Sequence, residues 1–101
     1  MEIIYQTQNS NTPSIITSAG TALAANKARI GWSIQNLGTN PLFVRLGDTA
    51  STTVFHFVLK AGTGQDDGNG GLLTNMDGTV FTGLISIAGT SPRCVVTELA
   101  P

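Results

Sequence analysis

The sequence predicts an all-β fold, an antiparallel β-sandwich of jelly-roll-like type with about seven or eight short strands, on the strength of three observations. Apolar and polar residues alternate with a period of two along several short runs, as they do when a strand buries one face and wets the other. Clusters of Gly, Pro, Asn and Asp punctuate those runs about every eight to twelve residues. No segment has the length that a helix needs to form on propensity. A chain of 101 residues is one domain, residues 1–101, because a fold of this size buries about 60–70% of its unfolded surface and has nothing left for a second core. A small barrel is the alternative closure of the same strands.

Ile3 to Tyr5 reads as a short first strand, and the polar, turn-rich residues 6–14 follow it. Residues 1–14 thus form a possible N-terminal arm of the kind that orders on a partner. Ile15 to Ser18 is a second strand, ended by Ala19-Gly20, and Thr21 to Ala24 continues the sheet. The Ala-rich run from Ala22 to Ala28 is too short to be helical on propensity, so Asn26 falls in a turn.

Leu23 to Gly47 reads as a complete β-hairpin. Ile30, Trp32 and Ile34 alternate with Arg29, Gly31, Ser33 and Gln35 on one strand, and Leu42, Val44 and Leu46 alternate with Phe43 and Arg45 on the other. The connection Leu37-Gly38-Thr39-Asn40-Pro41 is built of turn formers. Trp32 shares the apolar face with Ile30 and Ile34 and belongs to the core.

After a loop from Gly47 to Thr53, Val54 to Leu59 is apolar on both faces apart from His56, as in a strand buried on both sides. Residues 60–71 include five glycines and form the longest flexible loop. The turn Asn75-Met76-Asp77-Gly78 leads into Thr79 to Phe81. Leu84 to Ala88 and Arg93 to Leu99, separated by Gly89-Thr90-Ser91-Pro92, read as a closing hairpin.

Charged residues are 11% of the chain, against about 25% in an ordinary domain. The surface must therefore be covered by uncharged polar groups, which are cheaper to desolvate at an interface. The net charge is −1, and the five basic residues are scattered at Lys27, Arg29, Arg45, Lys60 and Arg93. They make no cluster to neutralise successive phosphates, so no nucleic acid is expected as a partner. No signal peptide is visible and no apolar run approaches the ~20 residues of a membrane span, so a soluble chain with no membrane partner is expected. Cys94 is the only cysteine and reads as a small buried hydrophobe.

No catalytic residue, metal ligand or cofactor is expected. His56, between Phe55 and Phe57, has no sequence partners for a triad or metal site and reads as a packed or interfacial histidine. There is no Gly-x-Ser-x-Gly elbow, no His-Glu-x-x-His and no cysteine pair. The run Asp66-Asp67-Gly68-Asn69-Gly70 has adjacent rather than alternating acids and no Glu at the twelfth position, so it is a solvated turn rather than a calcium loop. The residues expected to matter are distributed contacts: Ile3, Tyr5 and Gln6 in the arm, Phe55 and Phe57 in the apolar strand, and Asp66 and Asp67 in the Gly-rich loop.

Leu23-x-x-Asn26-x-x-Arg29, then Ile34-Gln35-Asn36-x-Gly38 and Phe43-Val44-x-Leu46-Gly47, together with the closing strand Val95-Val96-Thr97-Glu98-Leu99, resemble the small β-sandwich virion structural proteins of tailed bacteriophages. The resemblance covers residues 22–47 and 83–99. It implies a non-enzymatic capsid decoration or cement protein, made in the host cytoplasm and resident on the virion. Such proteins sit on the outside of the phage head, commonly as a homo-trimer, and bind the major capsid protein to stabilise the shell. The alternative is a tail, fibre or host-surface (glycan) binding module, with the Lys60 to Asn75 loop as its recognition edge.

Overall fold

The computed structural model describes residues 9–10, 12–75 and 79–101. Nine strands run through them: β1 (Asn9–Ser10), β2 (Ser14–Ile16), β3 (Gly20–Leu23), β4 (Gly31–Asn36), β5 (Leu42–Leu46), β6 (Phe57–Leu59), β7 (Leu72–Thr74), β8 (Ile85–Ala88) and β9 (Cys94–Ala100). There is no helix among the described residues.

β1 and β2 lie end to end along one edge of β9. Ser10 faces Leu99, and Ser14 to Ile16 face Val96 to Cys94. Taken as one interrupted strand they complete a first sheet four strands wide, ordered β1/β2-β9-β4-β7, while the second is ordered β3-β8-β5-β6. From β2 onward the chain changes sheet at every step except β5 to β6, which pair as a hairpin. Eight strand positions in two such sheets are the winding of a jelly roll, so the expected antiparallel sandwich is the fold.

The core lies between the sheets. Trp32, Ile34, Cys94 and Val96 of the first sheet meet Ala22, Leu42, Val44, Leu59, Ile85 and Ile87 of the second. Each fully buried aliphatic side chain contributes about 1.5–3 kcal/mol.

Several local expectations are corrected. β4 and β5 are not a hairpin: β4 pairs with β9 and β7, whereas β5 pairs with β6 and β8. The alternation on each strand is as expected, but the two apolar faces meet across the core instead of lying side by side. The turn backbone is bonded to other segments, with Leu37 N–H donating to Arg93 C=O at 2.9 Å and Asp66 N–H to Leu37 C=O at 2.9 Å. β8 and β9 are likewise in opposite sheets and form no closing hairpin.

The Val54 to Leu59 run forms a strand only over β6, at a sheet edge. Val54, Phe55 and Val58 are exposed, so it is buried on one face. Thr79 to Phe81 forms no strand, and β7 occupies residues not expected to be extended. Arg29 and Gly31, expected on the wet face, are both buried. The expected first strand at Ile3 to Tyr5 and the turn at Met76 to Gly78 lie outside the described residues.

Asn36, buried at the end of β4, ties the sheets together. Its Nδ2 donates to the carbonyls of Asn40 (2.9 Å), Leu59 (3.1 Å) and Lys60 (3.1 Å), and its Oδ1 accepts from Gly38 N–H at 2.9 Å. A buried amide is tolerated because both of its ends are satisfied. Beside it, a Cβ on Gly70 would overlap the Asn36 carbonyl oxygen, so the Gly-rich loop rejoins the fold where only glycine fits.

Candidate functional site

Three regions offer surface for a site: the outer faces of the sheets, the Gly-rich loop, and a pocket between the sheets. On the outer face of the first sheet, the register aligns Ile15, Val95, Gln35 and Leu72 in one row across β2, β9, β4 and β7. Four strands place the ends of this row about 14 Å apart. The next row holds Thr97, Ser33 and Thr74. None of these seven positions is charged, and Ile15 and Leu72 at the ends are 50% and 61% exposed.

The second sheet is covered by its own chain. Residues 47–56 fold back over it, with Ala50 N–H donating to Ser86 Oγ at 2.7 Å and Ser86 Oγ donating to the Asp48 carbonyl. This is why Ser86 is buried on an outward-facing position. Arg45 Nη1 donates to Thr49 C=O at 2.9 Å, and Phe55 meets Phe43 edge-on with ring centroids 4.9 Å apart. Phe55 and Val58 remain partly exposed beside them.

The expected contact residues therefore have different fates. Phe55 is on the surface. Phe57, facing Val44 across the ladder, packs against the core. His56 is exposed rather than packed, and its Nδ1 accepts from Leu46 N–H at 3.0 Å. Ile3, Tyr5 and Gln6 lie outside the described residues.

Asp66 and Asp67 shape the loop. Asp66, with φ +60°, is held by Arg93 through bonds of 2.7 and 3.0 Å, and that guanidinium lowers its pKa. Asp67 accepts from the Thr63 hydroxyl, from Gly64 N–H at 2.7 Å and from Asn69 N–H at 2.9 Å. These donors, the Thr63 hydroxyl first, bring its pKa down to about 2. The carboxylate is engaged by its own loop, as a structured turn requires. Among the described residues no three His, Cys, Asp or Glu side chains come together as metal ligands would. A shallow polar groove of about 300 Å³ lies beside this loop, lined by Thr17, Gln65, Ser91, Pro92 and Arg93.

At the opposite end of the sandwich, Trp32 and Thr74 of the first sheet, Leu46 and Phe57 of the second, and Thr79 and Phe81 of the β7–β8 connection line a pocket of about 120 Å³. Trp32 Nε1 is buried and has no hydrogen-bond partner among the described residues. Next to the pocket lies Arg29, its side chain wholly buried. The guanidinium donates to Glu98 at 2.8 Å and to the carbonyls of Ala24 (2.6 Å), Phe81 (2.8 Å) and Gly83 (3.0 Å). No local pattern marks this cluster, whose members are far apart in the chain.

The chain matches no protein-family model, no curated protein and no solved structure.

Proposed function

We propose that the protein is a non-enzymatic virion structural protein, a capsid decoration or cement protein that attaches to the outside of a tailed-phage head and self-associates as a trimer. The observation that carries this reading is the uncharged outer face of the first sheet. Lys and Glu must be stripped of tightly held water to enter an interface, whereas Ile15, Val95, Leu72 and the threonines around Gln35 desolvate at little cost. Protein surfaces that bind through core-like patches are depleted in charge in the same way. Modest contact energies, repeated around a symmetric lattice, sum to a large resistance to expansion.

The test adds purified protein to heads that lack it and images them. Ordered density at junctions between shell subunits is the expected result, and Leu72→Lys abolishes it while leaving the fold intact. Light scattering is expected to give a trimer, and a strict monomer at high concentration would remove self-association. The second reading, a tail or host-surface glycan module, draws on the polar groove lined by Gln65, Ser91 and Arg93. Density confined to the tail would favour it, and absence of binding to any part of the particle would overturn both.

A further inference from the structure

We propose that Asn69 is a site of spontaneous covalent modification, deamidation through a succinimide, and that the hydrogen bonds of its own loop set the rate. Of the seven asparagines in the chain, Asn69 alone precedes a glycine. The reaction joins neighbouring atoms. The Gly70 amide nitrogen, having given its proton to solvent base, attacks Asn69 Cγ; the new N–Cγ bond closes a five-membered ring, and the Cγ–Nδ2 bond breaks as ammonia leaves with a proton from water. Water then opens the ring at either carbonyl, giving aspartate or isoaspartate. A following glycine favours the attack because it has no Cβ to hinder the nitrogen or restrict its backbone.

The structure leaves the attacking nitrogen unpaired and restrains the swing of the side chain. Asn69 is exposed in a loop outside any strand, and the Gly70 N–H has no hydrogen-bond partner among the described residues. Asn69 N–H, however, donates to Asp67 Oδ1 at 2.9 Å, and Asn69 Nδ2 donates to Thr63 Oγ1 at 3.2 Å and to Asp67 Oδ2 at 3.4 Å. Nδ2 must leave these acceptors before Cγ can turn toward Gly70. The product cannot be accommodated on the far side of the site. Isoaspartate adds a methylene to the main chain, yet Gly70 is packed against the Asn36 carbonyl and Gly71 N–H is bonded to Lys60 C=O at 2.9 Å. The extra length and the new carboxylate therefore fall on the turn that Asp67 organises. This loop also touches the outer face of the first sheet, where Gln35 Nε2 donates to Gly68 C=O at 3.4 Å, so the added charge lies at the edge of that uncharged face. The chemistry needs no partner and stands independently of the shell-binding reading.

The test incubates the native protein in mildly alkaline buffer and follows it by intact mass and by peptide mapping that separates aspartate from isoaspartate, with the free peptide spanning residues 66–72 as the clock. Asn69 is expected to convert before any other asparagine, to both products, and more slowly than in the peptide. Asn69→Gln keeps the amide but would need a six-membered ring, and should remove this conversion. Thr63→Val, at an exposed loop position, deletes one acceptor of the side-chain amide and should speed the reaction about five-fold, the value of one net hydrogen bond. An Asn69 still intact when the peptide has fully converted and another asparagine has reacted, a mass gain undiminished in Asn69→Gln, or a Thr63→Val rate no faster than wild type would overturn the assignment.

Discussion

Replacing Arg29 with Met should be among the most damaging single substitutions in this protein. The change keeps most of the apolar stem but deletes a wholly buried guanidinium that bonds Glu98 and three backbone carbonyls. Breaking a buried ion pair from one side costs about 3–5 kcal/mol, and each part-buried carbonyl deprived of its donor adds to that. The total is a large part of the about 5–15 kcal/mol by which a domain of this length is stable. At about 4–8 °C per kcal/mol, the melting temperature should fall by at least about 12 °C. Urea unfolding followed by Trp32 fluorescence measures it, with exposed Lys27→Met as a control expected within about 0.5 kcal/mol of wild type. A loss below about 1 kcal/mol for Arg29→Met would refute the reasoning, since the carbonyls of Ala24, Phe81 and Gly83 would then have found water or one another.

Gly70→Ala drives a methyl group into the Asn36 carbonyl, and should cost at least the about 1–3 kcal/mol of an overpacked site, read from the same urea midpoint. Because Asp67 has its pKa depressed to about 2, the turn it organises is held above the carboxyl's ordinary range and is lost as pH falls through about 2. The amide resonances of Gly64 and Asn69 should titrate with that midpoint, and a midpoint near 4 would show that the turn does not depend on the ionised form. Burial raises the Cys94 thiol to about 11, so it should resist a thiol reagent at pH 8 in the native protein and react promptly in urea. Rapid native labelling would contradict its place in the core.

The parts of this fold that could be read from sequence are those that depend on a face. The period of two at residues 30–36 and 42–46 correctly places Trp32, Ile34, Leu42 and Val44 inside, and the glycine-rich turns correctly mark breaks between strands. Alternation leaves pairing open, because the same pattern suits a strand beside its neighbour and a strand facing it across the core. Leu23 to Gly47 therefore looks like a hairpin but spans two sheets. Asn36, near the expected turn, is the residue that bridges them. Arg29 escapes its local pattern for a different reason. Alternation puts it on the wet face, yet it precedes β4, at the end of the sandwich where carbonyls from remote connections converge. The pocket is still less accessible from sequence, because Trp32, Leu46, Phe57 and Phe81 meet only through the winding of the chain.

By itself the sequence determines that this chain makes short strands with few charges, broken by tight turns, because alternation and turn chemistry are local properties. The tertiary structure decides which strands share a sheet, which outer face remains uncharged and exposed, and where an unfilled space is left against Trp32. Those outcomes rest on hydrogen bonds and packing between residues tens of positions apart, and short-range patterns carry no record of them.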